Sequence, residues 1–448
     1  MDESQAEKTC KDVAGVWKRL FEEDPIGDID NADRDTFVYW MQVPTSGIYV
    51  DLRLPKESLI LQQGSDNNVI KKNPTSLCGR SFQLKSNVDD DDDSNFVTNE
   101  LLQVLWKQKS FAGKLTYAKG DVSNPPNHGA ALKNDPTLAQ HVQTLPDTLC
   151  TCYWKRHIDY QPPTGGLDIG ICATDPTTVG KKENGDDTDD SITIRETGYD
   201  GSYAEGWKRL SNTAATTTTT SSGGGGPFFA MELLSENGHD RVGYWIRVGN
   251  YFGYVVGRPT TQENSQKLYC HADSYKINND GSVVGKVLKD AIETLVPLKS
   301  TSASSPDSGH KTTEEKQAKL MKDQLSIVGS YVCVMGHVNP PTNEGTKKWK
   351  ILHSTHPELV GCYLLGENES STNDYQTSLC CSTCFIDAAD NDGGDGSKQL
   401  QVGTVLTQHV VTGNPPLMTK SSTRIVRKWK VAEMNSDNDD TSCDIHLC

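Results

Sequence analysis

The sequence predicts a mainly β protein made of two antiparallel β-barrels in tandem. Short runs rich in β-branched and aromatic residues recur along the chain and are separated by turn residues, which is typical of such folds. Large aromatic and charged residues are mixed closely inside the strand-like runs between 150 and 210. A Thr- and Gly-rich segment at 212–226 separates two halves that each open with such runs.

The first half reads as short strands with turns and polar segments between them. The predicted strands lie at 13–23, 36–43, 48–54, 111–120, 150–160, 167–174, 191–198 and 203–210. A helix is predicted at 98–109, because Leu101 and Leu105, and Leu102 and Trp106, recur at helical spacing. Strands this short and this closely spaced favour an antiparallel barrel or sandwich.

The second half repeats the plan of hairpins first and helical interruption later. The predicted strands lie at 227–235, 242–248, 251–257, 326–337, 349–354, 402–411 and 424–431. The dipeptide Gly249-Asn250 suits a tight hairpin between two of them. Two helices are predicted, at 282–295 and 314–325.

These elements divide the chain into two barrel domains and a linker. The predicted boundaries are 1–211 for the first domain, 212–226 for the flexible linker and 227–448 for the second domain. Polar, disordered insertions are expected at about 56–95, 121–148, 296–313 and 366–399.

Composition bounds the class of protein. The formal net charge is −16 and the pI is about 5.1, which argues against a nucleic-acid partner. No stretch approaches the apolar length of a membrane span, and the polar start of the chain lacks the core of a secretory signal. We therefore expect a cytoplasmic protein with no membrane association, whose 13 cysteines are mostly free thiols.

Motifs for catalysis, cofactors and metals are weak. Cys381 and Cys384 form a C-x-x-C, but a zinc site needs four ligands and the cysteines and histidine at 443–448 lie in an acidic tail. The sequence contains no G-x-S-x-G elbow, no P-loop and no H-E-x-x-H. We predict no catalytic residue, no cofactor and no metal site, and an enzyme is the less favoured class.

Alternation along the strands predicts which side chains face the barrel interior. In 150–160 the mostly apolar set faces inward and carries Arg156 with it, whereas Lys155, His157 and Asp159 face outward. That inward set is Cys150, Cys152, Trp154, Arg156, Ile158 and Tyr160. Ile192 and Ile194 bring Glu196 inward by the same argument.

A second strand completes the predicted interior. Tyr203, Glu205 and Trp207 share one face, and the two aromatic rings place it inward. The predicted ligand-binding set is Trp154, Arg156, Glu196, Tyr203, Glu205 and Trp207. Residues at strand ends, Asp159, Gln161 and Asp168, are expected at the rim of the barrel mouth.

Two interpretations of this interior remain open. An unpaired buried charge is costly, so the arginine and the two glutamates must pair with each other or meet a polar ligand. The first interpretation is a buried network that plugs the barrel. The second is a pocket for a small polar or amphiphilic molecule, with aromatic walls and Arg156 as the anchor.

Several blocks carry a family resemblance. Their order resembles an uncharacterised family of bacterial and algal proteins, apart from the insertions. The blocks are FVYWMQVPTSGIYVDLRLP (37–55), FAGKLTYAKGD (111–121), CYWKRHIDYQPPTGGLDIG (152–170), ETGYDGSYAEGWKRL (196–210), VGNYFGYVVGRP (248–259), KKWKILHSTHPELVG (347–361) and RIVRKWKV (424–431).

A smaller set of features is similar to the fungal Hri family, which interacts with casein kinase and is built as two lipocalin-like barrels. These features are the YVDLRLP block, a Trp-to-Asp strand, the hairpin through Gly249 and the residues Glu196, Gly198, Glu205 and Trp207. The resemblance implies two calycin-like barrels and supplies no catalytic residue. We expect a protein that binds an unknown small molecule in the first barrel. The alternatives are an adaptor for a protein partner, with plugged barrels, and an enzyme of unknown reaction.

Overall fold

The predicted mainly β fold is confirmed: the chain folds into two curled antiparallel sheets. The computed structural model describes residues 13–23, 35–56, 105–118, 148–161, 168–174, 193–198, 203–210, 227–258, 287–290, 325, 328–338, 349–356, 359–361, 364, 381–386, 401–411 and 424–434. The linker 212–226 and nearly all of the predicted insertions 56–95, 121–148 and 296–313 lie outside these residues.

The first sheet is a closed barrel in which each strand pairs with the next and β8 pairs with β1. Its strands are β1 (Gly15–Glu23), β2 (Thr36–Gln42), β3 (Ile48–Pro55), β4 (Phe111–Ala118), β5 (Thr148–Asp159), β6 (Ile169–Thr174), β7 (Thr193–Gly198) and β8 (Ala204–Arg209). The interior is filled by the largest side chains of the chain, including Trp17, Trp40 and Trp207. Closure leaves the barrel with no free edge.

The second sheet has eight strands in the order β13-β12-β11-β10-β9-β16-β15-β14. They are β9 (Phe228–Glu236), β10 (Gly243–Val248), β11 (Tyr251–Val256), β12 (Val332–Val338), β13 (Trp349–Ser354), β14 (Cys381–Ile386), β15 (Val405–Val411) and β16 (Arg424–Met434). The first strand again pairs with the last. The strand order is therefore that of the first barrel. The difference is that β13 and β14, the counterparts of β5 and β6, do not pair with each other among the described residues.

Two details depart from the sequence prediction. β14 lies inside the predicted insertion 366–399, where its six residues pair along β15. Residues 328–329 are helical where a strand was predicted, and β12 begins only at Val332. Described helical residues at 105–107, 287–290 and 325 fall within the predicted helices. None of the helices in the described ranges is long and apolar enough to cross a membrane.

The two sheets pack against each other through an apolar layer. The outer face of β3, with Ile48, Val50, Leu52 and Leu54, packs into one cluster with second-sheet side chains that include Ile246, Val248, Val255, Cys333 and Met335. The Glu433 carboxylate also accepts hydrogen bonds of 2.7 Å from the backbone N–H groups of Thr45 and Ser46. Both faces of β3 are therefore buried, which leaves its polar face for the barrel interior.

Candidate functional site

The middle of the first barrel is closed by a cluster of tryptophans. Trp40 on β2 makes edge-to-face contacts with Trp154 on β5, at 5.0 Å between ring centroids, and with Trp207 on β8, at 5.7 Å. Trp17 stacks on Trp40 at 5.8 Å. Such aromatic pairs are favourable beyond the area they bury. The cluster forms the floor of the space above it.

Above this floor a cavity of about 210 Å³ opens at one end of the barrel. Odd-numbered strands end, and even-numbered strands begin, at the same end of an antiparallel meander, and the lining residues come from these positions. The lining consists of Glu22, Arg53, Phe111, Trp154, Arg156, Asp168, Glu196, Tyr203 and Glu205. The structure thus brings most of the predicted site residues together in one cavity.

Arg53 anchors one wall of the cavity. Its Nε lies 2.9 Å from Asp51 Oδ1, and its Nη1 lies 3.1 Å from Glu205 Oε1. Arg19 Nη1 also donates to Glu205 Oε1 at 2.9 Å. Burial raises the pKa of Asp51, although Arg53 opposes the shift. Two guanidinium groups therefore hold Glu205 in place.

Arg156 anchors the opposite wall and is equally engaged. Its Nε donates to Asp168 Oδ2 at 2.9 Å, its Nη1 donates to Asp159 Oδ1 at 3.4 Å, and its guanidinium lies 3.7 Å from the centroid of the Phe111 ring. Burial alone would lower the pKa of Arg156, but Asp159 and Asp168 raise it. Burial raises the pKa of Asp159 to about 7 despite Arg156. The predicted anchor is thus already neutralised by carboxylates.

Glu196 is the exception among the buried charges. Its side chain is 3% exposed. Its Oε1 accepts hydrogen bonds of 3.2 Å from Trp154 Nε1 and from the Tyr203 hydroxyl. Among the described residues, its Oε2 has no hydrogen-bond partner. Burial, followed by Cys172 and Glu205, raises the pKa of Glu196 well above its usual range.

Three predicted positions need correction. Asp159 was predicted to face outward, yet it is fully buried and ion-paired with Arg156. Gln161 was placed at the rim, but its amide donates to the Gln108 carbonyl at 2.8 Å and does not line the cavity. Trp207 does not line the cavity either, because it belongs to the floor beneath it.

A β-bulge explains the error at Asp159. Ala112 pairs with Ile158 but Gly113 pairs with Arg156, so His157 is an extra residue and the alternation shifts by one. Gly113 permits this close approach, since a Cβ there would lie 2.0 Å from the Lys155 carbonyl oxygen. Ile158 and Tyr160 therefore face the second sheet instead of the barrel interior.

Sequence reasoning missed Glu22, Arg53 and Phe111 in the lining. The signal for Arg53 lies in its own strand, where Tyr49, Asp51 and Arg53 share one face and the other face is wholly apolar. If the first barrel stood alone, the apolar face of this strand would be expected to point into the barrel. The packing of the second sheet on β3 reverses that choice.

The second sheet contains the same tryptophan cluster at equivalent strand positions. Trp245 on β10 contacts Trp349 on β13 at 5.5 Å and Trp429 on β16 at 6.0 Å, both edge to face. One of the two register shifts between β9 and β16, beside Trp429, also matches the shift between β1 and β8 beside Trp207. The pairing registers therefore align the two halves residue by residue.

This alignment identifies the counterpart of each charged residue in the cavity. Glu196 pairs across the sheet with Glu205, and Gln408 pairs with Arg427. Glu205 and Arg427 each lie two residues before the cluster tryptophan of the last strand, so Glu196 and Gln408 are equivalent. Gln408 Oε1 accepts hydrogen bonds from Trp429 Nε1 at 2.9 Å and the Tyr254 hydroxyl at 3.2 Å. An amide in one half and a carboxyl group in the other thus each accept from one tryptophan and one tyrosine, but Trp429 aligns with Trp207 and Tyr254 with Asp51, so the donors are not equivalent.

Most of the other charges have uncharged counterparts. The registers of β10–β13 align Asp51 with Tyr254, Arg53 with Val256, Phe111 with Val334, Arg156 with Ile351 and Asp159 with Ser354. Charges are kept at two aligned positions, where Glu236 on β9 matches Glu22 and Arg427 on β16 matches Glu205, and Glu236 and Arg427 bond each other at 2.6 Å. The polar interior of the first barrel is therefore not a requirement of the fold.

Comparisons with known proteins add little beyond the fold. No protein-family model matches the chain. No curated protein matches it either. A crystal structure of the uncharacterised protein YLR301w from Saccharomyces cerevisiae is similar, with a TM-score of 0.36 and 10% sequence identity over 94% of this chain and 99% of that chain.

Proposed function

We propose that the first barrel binds a small polar molecule in the cavity above its tryptophan floor. The observation that carries this proposal is the cavity itself: about 210 Å³, lined by charged and aromatic side chains at one end of a closed barrel. Barrel mouths are common ligand sites, because the strands hold the lining side chains in fixed positions.

The comparison within the chain supports this proposal. Buried ion pairs are poor sources of stability, and apolar replacements of similar volume are often as stable. The second half has Val256 and Ile351 where the first has Arg53 and Arg156. A charged interior that the fold does not need is consistent with selection for binding.

The ion pairs of the two arginines are consistent with cavity walls that are preorganised for binding. Arg53 and Arg156 are each bonded to two carboxylates, which fixes the guanidinium groups at 5.1 Å and 3.7 Å from the centroid of the Phe111 ring. A network of this kind fills part of the barrel, as the plugged interpretation expects, yet it leaves the cavity open above the floor. Preorganised walls lower the entropy lost when a ligand binds.

The adaptor alternative has less support. It requires a contiguous exposed apolar patch. The exposed large apolar side chains of the described ranges are Leu20, Trp106, Leu234 and Val402, and they lie on separate elements. The enzyme alternative requires a carboxylate open to water, whereas Glu196 and Glu205 are 3% and 2% exposed.

Two glycine variants test the proposal on the full chain. A Cβ at Gly170 would lie 2.6 Å from Glu196 Oε1, so Gly170→Ala displaces a carboxylate that lines the cavity. The matched control is Gly253→Ala, whose Cβ meets side chains at 3.4 Å in the layer between the sheets. We expect native mass spectrometry to detect a small molecule on the wild type and the control, and much less on Gly170→Ala. Equal occupancy in both variants, or none in the wild type, would contradict the proposal.

A further inference from the structure

The charge balance around the cavity is uneven. Arg19, Arg53 and Arg156 are the cations of the bonded network, and each is engaged by carboxylates. Arg156, for example, is bonded to both Asp159 and Asp168. An anionic ligand would have to displace these carboxylates to reach a guanidinium group. The cavity therefore disfavours an anion, although its arginines first suggest one.

Glu196 supplies the complementary argument. It lines the cavity and is 3% exposed, and among the described residues no cation pairs with it and nothing donates to Oε2. A buried carboxylate of this kind is costly unless a donor or a cation reaches it. A partner for Oε2 must therefore donate a hydrogen bond, and a positively charged donor makes the strongest one.

The counterpart in the second half separates structure from charge. Gln408 also accepts one hydrogen bond from a tryptophan and one from a tyrosine, although these donors do not align with those of Glu196. An amide thus meets the structural need at this position. The carboxyl group of Glu196 adds only the capacity for negative charge, so that capacity needs a separate explanation.

The aromatic walls suit a cation as well. Trp154, Tyr203 and Phe111 line the cavity, and Phe111 already carries a guanidinium on its face. Faces of aromatic rings attract cations, more strongly where water is excluded.

We propose that the ligand of the first barrel is a small organic ammonium ion whose N–H group donates to Glu196 Oε2. This inference rests on the proposed function and specifies the chemical class of the ligand. Trp154 and Tyr203 hold the carboxylate through Oε1 and leave Oε2 for the ligand. The apolar part of the ligand lies against the aromatic walls.

Three four-carbon probes of matched size test the charge class: butylamine, 1-butanol and butyrate. Each is titrated into the full-length protein at neutral pH and constant ionic strength, with affinity measured by ligand-observed NMR. We expect butylamine to bind about tenfold or more tighter than 1-butanol, because a charge-assisted hydrogen bond is replaced by a weaker one. Butyrate is expected to bind most weakly.

Two isosteric variants assign the effect to one side chain. Glu196→Gln copies the second half and should fold, but it should lower butylamine affinity about tenfold or more and change 1-butanol affinity by less than about twofold. Glu232→Gln is the matched control, because Glu232 is also an ion-paired glutamate, bonded to Lys114 at 2.8 Å, but does not line the cavity. We expect it to change butylamine affinity by less than about threefold.

The outcomes separate the two proposals. Tighter binding of 1-butanol or butyrate would overturn the inference and leave the cavity as a binding site. An equal loss in Glu232→Gln and Glu196→Gln would overturn the assignment to Glu196. Binding of none of the three probes at millimolar concentration would count against the proposed function itself.

Discussion

The two halves of this protein share strand order, tryptophan cluster and bulge positions, but they differ in what their interiors contain. The first barrel places Arg53, Arg156, Asp51 and Asp159 above its tryptophans. The second places Val256, Ile351, Tyr254 and Ser354 at the aligned positions. The shared fold therefore does not require these four charged residues, which are specific to the first barrel.

The difference also shows how each half treats a buried carboxylate. In the second half, Glu236 lies between Arg241 and Arg427, and its pKa falls below the usual range because these two cations outweigh the effect of burial. In the first barrel, burial raises the pKa of Glu196, and no described cation pairs with it. One carboxylate is paired with cations of the protein, and the other is the group for which we propose a partner from outside.

The largest expected effect concerns the arginines. Arg53→Met should lower the free energy of unfolding by about 3–5 kcal/mol, because Asp51 loses the one cation that bonds it among the described residues. Arg427→Met should cost less, about 1–3 kcal/mol, because Glu236 keeps Arg241. Denaturant-induced unfolding measures both changes.

A third variant sharpens this comparison. Asp51→Asn combined with Arg53→Met removes both charges of the pair and should recover part of the stability lost in Arg53→Met. A double variant less stable than the single one would show that Asp51 has a stabilising role apart from Arg53. Equal costs for Arg53→Met and Arg427→Met would remove the proposed contrast between the halves.

A smaller effect is expected in the pH dependence of stability. Burial raises the pKa of Asp159 to about 7, above the ordinary value of about 3.9. Its contribution is therefore fully present below about pH 4 and is lost as the pH rises towards 7. Asp159→Asn should gain stability relative to the wild type over that window, on the order of 1 kcal/mol or more.

The measurement is a series of unfolding curves between about pH 5 and 8, with both proteins at each pH. The aligned residue in the second half is the uncharged Ser354, so the variant again brings the first half closer to the second. A relative stability that falls as the pH rises would show instead that Asp159 is ionised and stabilised by Arg156.

Much of the fold was accessible from sequence because short alternating strands report their own faces. The mainly β architecture and most strand positions follow from that periodicity. Trp154, Arg156, Glu196 and Glu205 were placed in one interior by alternation, and they line one cavity in the structure. Their role in binding remains a proposal.

Two features defeated the same reasoning. The bulge beside Gly113 moved Asp159 inward, and a single extra residue of this kind has no clear mark in a strand sequence. The second sheet buried the outer face of β3, which turned Asp51 and Arg53 inward. Alternation identifies two faces but does not say which one meets a neighbouring sheet.

Short repeated motifs in the sequence also relate the two halves. Tyr39-Trp40 and Tyr244-Trp245 are each followed three residues after the tryptophan by valine, at Val43 and Val248. Trp-Lys pairs at 154–155 and 207–208 correspond to those at 349–350 and 429–430. These repeats mark the tryptophan cluster in both halves. The motifs alone do not show that Glu196 and Gln408 occupy equivalent positions, because that assignment also needs the strand pairing.

The central claim is that Glu196 serves as the counter-ion of a bound cation. The groups that face it are Cys172 on β6, Glu205 on β8, Asp168, Tyr203 and Arg53. Burial and the nearby negative charges raise the pKa of Glu196, so this carboxyl group holds its proton more tightly than an exposed glutamate does. A bound ammonium ion lowers that pKa, and the proton is released to the buffer.

Isothermal titration calorimetry with butylamine, in two buffers of different ionisation enthalpy, counts this proton directly. The account predicts that the wild type releases protons on binding and that Glu196→Gln releases none. The same proton count in both proteins, or proton uptake by the wild type, would contradict it.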